Sequence, residues 1–132
     1  MKVLFVCSGN AFRSPLAEAL LKKLRPDVEV DSAGLNPVLS ISESAGQYLA
    51  REGAEKHLKK TSEGLDEKPL RTYDLIIAME QMHGNEVLKR CPECVNRMVV
   101  WNIEDPYFKS LGSAEKIFNQ IKQKVEALAE EL

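Results

Sequence analysis

Four apolar, β-prone runs, at residues 3–6, 28–33, 73–79 and 98–101, alternate along the chain with segments of helical periodicity. That alternation leaves few folds open. Strands separated by helices are joined by crossovers, and crossovers build parallel sheets covered on both faces. The right-handed rule for such crossovers cuts the topologies to a handful. At 132 residues the chain has the size of one domain, residues 1–132, and such a domain buries about two thirds of its unfolded surface. The expectation is an α/β domain of three layers, with a four-stranded parallel sheet between helices.

The helical segments carry their own punctuation. Leu16, Leu20 and Leu24, flanked by Ala17 and Leu21, form one stripe. Ser14 reads as its N-cap, Pro15 as the first helical residue, and Arg25-Pro26 as the stop. Ser40-Ile41-Ser42-Glu43 fits a capping box, with Ala45, Tyr48 and Leu49 as a buried face and Gly53 as a terminator. Residues 59–70 are mostly polar and read as a loop or a short helix. A modest helix is expected near Gln81–Arg90. In the last helix Ala114, Ile117, Phe118, Ile121, Val125, Leu128 and Leu132 recur at steps of three and four after Ser113.

Composition excludes several classes. Hydrophobic residues make up 44% and charged residues 29%, an ordinary globular balance. No apolar run approaches the ~20 residues of a membrane span, and the start carries no signal-peptide pattern. A cytoplasmic protein with no membrane partner is expected. Eighteen basic and 20 acidic residues leave a net charge of -2, so no broad cationic face for nucleic acid is expected. Cys7, Cys91 and Cys94 are an odd set, which suits a reducing compartment where a cysteine is catalytic, metal-bound or inert.

In open parallel sheets ligands sit beyond the carboxyl ends of strands. The turn after the first run reads Cys7-Ser8-Gly9-Asn10-Ala11-Phe12-Arg13-Ser14. A loop from a buried strand into a helix N-terminus gathers backbone N–H groups at one spot, and the helix dipole favours an oxyanion there. Gly9 and Asn10 tolerate the left-handed backbone of a tight cradle. Arg13 offers a bidentate fork to phosphate. The same field stabilises a thiolate at Cys7, and Ser14 is placed to donate a hydrogen bond to that sulfur. Ser8 through Ser14 are thus the candidate phosphate-binding residues. Neither a Walker-type loop nor a dinucleotide fingerprint is present.

A thiolate that attacks a phosphate ester needs an acid for the leaving oxygen. Asp105 follows the fourth strand at the same sheet edge, and Pro106 restricts its backbone. Glu104 is the rival acid, with the opposite orientation expected. Tyr107 and Phe108 are the candidate aromatic wall for a planar substrate.

The Cys7–Arg13-Ser14-Pro15 loop, Asp31-Ser32-Ala33-Gly34, Tyr73-Asp74 before the third strand, and Asp105-Pro106-Tyr107 resemble, as an ordered set, the low-molecular-weight protein tyrosine phosphatase family. The resemblance spans essentially the whole chain. It implies strand order 2-1-3-4, a phosphocysteine intermediate on Cys7, Arg13 as phosphate clamp and Asp105 as acid then base. It also implies no metal or organic cofactor, and a phosphorylated protein or small aryl phosphate as partner. Many relatives carry a second cysteine where this chain has Phe12, so no disulfide switch within the loop is expected. The segment after Gly34 is short and lacks an aromatic residue.

Three rivals share the chemistry. Ala11 does not commit the loop between phosphotyrosine and phosphoarginine, which keeps a protein arginine phosphatase as the alternative. A thiol-dependent arsenate reductase would need relay cysteines, and Cys91-Pro92-Glu93-Cys94 lies before the fourth strand rather than after the third. A phosphocysteine carrier would not need Asp105. Cys91 and Cys94 read first as free thiols in a turn and second as a labile disulfide, and no nearby histidine completes a zinc site. His57 and His83 read as surface or core residues, Trp101 as packing, and Lys56, Lys59 and Lys60 as a solvated face.

Overall fold

The computed structural model describes residues 1–38, 40–106 and 113–132. Its elements are β1 (Lys2–Cys7), α1 (Arg13–Leu24), β2 (Glu29–Gly34), α2 (Glu43–Arg51), β3 (Leu75–Ala78), α3 (Gln81–Arg90), β4 (Met98–Val100) and α4 (Ser113–Glu131). The strands form one parallel sheet in the order β2-β1-β3-β4, the expected arrangement.

β1 lies inside the sheet, and its side chains alternate between two cores because successive residues of a strand point to opposite faces. Val3, Phe5 and Cys7 pack with Leu16, Leu20, Leu49, Phe118 and Val125, the apolar faces of α1, α2 and α4. Leu4 and Val6 pack with Leu65, Leu70, Tyr73 and Val87 on the opposite side. Val3 through Val6 are wholly buried. Burial on both faces explains why the run reads as uniformly apolar. Trp101 lies against Phe5 with ring centroids 5.5 Å apart, a packing role as expected.

Several local expectations are corrected. α1 begins at Arg13 with Phe12 as its N-cap, so Ser14 lies inside the helix and its hydroxyl is used elsewhere. Pro15 then takes the third helical position, where an amide would have no intrahelical acceptor in any case. The stripe of α1 ends early: Leu24 is exposed. The capping box at 40–43 does not form. Ser42 is the N-cap of α2, and its hydroxyl meets Ser44 Oγ at 2.8 Å instead. Gly53 does terminate α2, with φ of 68°. The polar segment 59–70 is neither a plain loop nor one helix. It contains the 3-10 turn Leu65–Glu67, and Leu70–Thr72 follows, which seats Leu65 and Leu70 in the second core.

Cys91 and Cys94 are joined in a disulfide rather than free. The 3-10 turn Pro92–Arg97 sets their Cα atoms 5.4 Å apart, within disulfide reach. Both belong to the core on the α3 side, across the sheet from Cys7. Among the described residues, no helix is long and apolar enough to cross a membrane.

Candidate active site

Beyond the carboxyl end of β1 opens a cleft of about 580 Å³. Cys7, Ser8, Gly9, Ala11, Phe12 and Arg13 line one side of it, and Asp105 and Pro106 also face in. The loop is therefore where the sequence placed it. Asn10 and Ser14 are absent from that lining because they are wholly buried behind the loop.

Asn10 is the hub. Its φ of 52° is the left-handed conformation that an Asn side chain tolerates. Its amide donates to Ser14 Oγ at 2.8 Å and to Ser32 Oγ at 2.9 Å. Its side-chain carbonyl accepts from Lys59 Nζ at 2.9 Å and from the Glu63 backbone N–H at 2.8 Å. Two donor and two acceptor positions are filled, so the turn cannot relax without leaving a buried polar atom unpaired. Gly9 has no positive φ, contrary to expectation. The glycine that geometry demands is Gly34: a Cβ there would lie 2.7 Å from the Ser8 carbonyl and 2.8 Å from the Asn10 nitrogen.

Lys59 is a second correction. Its side chain is 8% exposed, and it bonds Asn10, the Ser32 carbonyl at 3.0 Å and Glu63 at 2.8 Å. Glu18, also buried, accepts the Ser32 hydroxyl proton at 2.5 Å and pairs with Lys22. A lysine surrounded by these acceptors is drawn inward, while Lys56 and Lys60 stay on the solvated face.

Ser14 Oγ lies 2.9 Å from Cys7 Sγ. Because Asn10 already donates to that oxygen, the Ser14 proton is available to the sulfur. Arg13, 3% exposed, is held from behind: one terminal nitrogen donates to Glu80 Oε1 at 2.9 Å and to the Ile103 carbonyl at 2.7 Å. Its other terminal nitrogen stands 3.7 Å from Asp105 Oδ2. Asn102, with φ of 59°, turns the chain after β4 so that Ile103 is buried behind that guanidinium. Asp105 faces the cleft, whereas Glu104 is exposed in a separate hollow beside Asn102 and Lys116, as its neighbouring position implied.

Nothing in the sequence pattern marks Glu80 or His83 as site residues, although both follow β3 and so lie at the functional sheet edge. His83 is buried. Its Nδ1 accepts the Glu80 backbone N–H at 2.9 Å, and its Nε2 meets Ser8 Oγ at 2.8 Å. Burial, reinforced by the charge on Arg13 and opposed by Asp105, pushes its pKa down to about 4. Phe12 is buried edge-on to Tyr48, centroids 6.1 Å apart. Tyr107 and Phe108, the expected aromatic wall, lie outside the described residues. The wall that is described consists of Val38, Ile41 and Pro106, with Glu43 at the rim.

Comparison with known proteins places this geometry. The family model for low molecular weight phosphotyrosine protein phosphatase matches residues 2–132. The low molecular weight protein-tyrosine-phosphatase Wzb of Escherichia coli (strain K12) is 31% identical over 144 residues, spanning 98% of this chain and 94% of that one. Etp of the same strain is 32% identical over 141 residues, with 98% and 93% covered. Among solved structures, Vibrio vulnificus Wzb in complex with benzylphosphonate superimposes with a TM-score of 0.88 at 26% identity, covering 99% of this chain and 98% of that one. The YwlE arginine phosphatase from Geobacillus stearothermophilus does so with a TM-score of 0.86 at 27% identity, covering 98% and 91%.

Proposed function

The chain belongs to the low molecular weight phosphotyrosine protein phosphatase family, and within it we propose that this enzyme hydrolyses phosphotyrosine and related aryl phosphate esters through a phosphocysteine on Cys7. The observation that carries the reading is the convergence on one cleft of the Cys7 sulfur, the Arg13 guanidinium and the Asp105 carboxyl group. Two in-line displacements follow. In the first, the Cys7 thiolate attacks phosphorus, the S–P bond forms, and the P–O bond to the leaving group breaks as Asp105 protonates the departing oxygen. In the second, the Asp105 carboxylate takes a proton from water, whose oxygen attacks phosphorus. The S–P bond breaks, and Ser14 donates a hydrogen bond to the departing thiolate. Backbone N–H groups of the 8–14 loop and Arg13 stabilise the equatorial oxygens in both steps.

Arginine phosphatase is the second reading. It is favoured by the likeness to the Geobacillus enzyme and by Glu43 and Asp105, two carboxylates that could accept guanidinium N–H bonds at the cleft. Arsenate reduction is disfavoured because the Cys91–Cys94 pair packs across the sheet from Cys7. A phosphocysteine carrier would leave Asp105 without a task.

A side-by-side assay with phosphotyrosine, phosphoserine and phosphoarginine peptides, and with arsenate plus a thiol donor, tests the assignment. We expect multiple turnovers on phosphotyrosine that Cys7→Ser abolishes while the circular dichroism spectrum is kept. Hydrolysis confined to phosphoarginine would replace the substrate class, a single equivalent of phosphate would mark a carrier, and an active Cys7→Ser enzyme would remove the mechanism.

A further inference from the structure

We propose that the Ser8 hydroxyl is a side-chain donor to the bound phosphoryl group, and that His83, from the first turn of α3, is the positioning residue that aims it. The proposal rests on the phosphatase reading of the cleft and adds two roles to it. The Glu80 backbone N–H donates to His83 Nδ1 at 2.9 Å, so that nitrogen carries no proton. A neutral ring must then hold its proton on Nε2, which donates to Ser8 Oγ at 2.8 Å. One terminal nitrogen of Arg13 makes a longer approach to the same oxygen, 3.5 Å. Both lone pairs of Ser8 Oγ therefore face donors, and its own proton is left to point elsewhere.

Ser8 lines the cleft beside Cys7, and a tetrahedral anion above the sulfur would offer that proton an acceptor. The Ser8 backbone is also fixed, because its carbonyl accepts the Asn36 N–H at 2.9 Å. The charged groups around His83 are Arg13, Asp105 and Glu80, and burial keeps the ring neutral among them. His83 thus acts by geometry and not by charge. No proton is transferred. The serine keeps its hydrogen throughout both displacements.

Two readouts test this: kcat/KM for para-nitrophenyl phosphate, and the concentration of inorganic phosphate that half-protects Cys7 from iodoacetate. The second needs no turnover, so it separates failure of this proposal from failure of the phosphatase reading, which would appear in the wild-type enzyme. Ser8→Ala should lower kcat/KM and raise the half-protecting concentration, each by roughly tenfold or more, the effect of removing one hydrogen bond to a charged group. His83→Leu should match it. His83→Gln, whose amide can still donate to Ser8, should stay within about threefold of wild type on this account. The double variant Ser8→Ala/His83→Leu should be no worse than Ser8→Ala alone. Wild-type behaviour of Ser8→Ala overturns the proposal, as does a full additional loss from His83→Leu in the Ser8→Ala background. If His83→Leu does not fold, the contrast of Ser8→Ala with His83→Gln decides: equal losses count against a positioning role.

Discussion

The inner end of the cleft and its rim are built on opposite principles. At the inner end Asn10, Ser14, Ser32, Glu18 and His83 are buried and hydrogen-bonded, Ser14 within the loop and the others to partners 14 to 75 positions away. At the rim Val38 and Glu43 are exposed, and Val38, Ile41 and Pro106 make the wall largely apolar. A buried polar network tolerates little, because each unpaired atom costs on the order of 1–3 kcal/mol. An exposed rim tolerates much. On the proposed reading, the chemistry is locked into the fold while substrate preference sits where substitution is cheap.

That contrast can be broken at the inner end. Arg13→Lys keeps the charge but loses the fork held by Glu80 and Ile103, and should lower kcat/KM by about 10²–10³, the cost of losing one preorganised donor. A tenfold loss or less would mean the guanidinium geometry is dispensable. Asn10→Ala takes one partner each from Ser14, Ser32, Lys59 and the Glu63 N–H, and should lower unfolding stability by roughly 2–4 kcal/mol as well as activity. Equilibrium urea unfolding checks it. Unchanged stability would show that the hub is not what holds the turn.

His83 offers a subtler test. Its proton binds near 6.5 when unfolded and near 4 when folded. Above 6.5 both states are neutral. As pH falls through the window the unfolded state takes up a proton that the folded state refuses, so stability drops, by at most ~1.4 kcal/mol per pH unit, and this contribution levels off below 4. Between pH 7 and 5 the urea midpoint should fall more steeply for wild type than for His83→Gln. Equal slopes would assign the dependence to other groups. At the rim, Glu43→Gln should raise kcat/KM for acidic phosphotyrosine peptides only a few-fold, about 1 kcal/mol or less, and the gain should vanish in high salt. A gain that persists in high salt would mean Glu43 contacts substrate directly.

The same division governs what was legible from the residues in order. The alternation of strands and helices, the 7–14 loop and Asp105 announce themselves through local pattern: an apolar run, a turn, a strand end. The strand order comes only from the family resemblance. Glu80, Lys59 and His83 do not, because their significance is a partner 49 to 75 positions away. Lys59 looks like any surface lysine until Asn10 is placed beside it. Ser-Pro marks Ser14 as a helix cap, which it is not, whereas its place in the loop already points to the hydrogen bond its hydroxyl makes with Cys7. Gly34 is required by a backbone approach from the neighbouring strand connection, which no reading of its own neighbours reveals. The disulfide was open for a similar reason: its pairing depends on how Pro92–Arg97 winds.

The proposed mechanism passes through a bond between phosphorus and one sulfur. Asp105→Asn, which should form that bond more slowly and hydrolyse it more slowly still, can be mixed with an aryl phosphate, quenched in acid and digested for mass spectrometry. The account predicts one phosphoryl group on the peptide containing Cys7 and on no other. Phosphate release with an unmodified Cys7 at every time point, or an adduct on another residue, would contradict it.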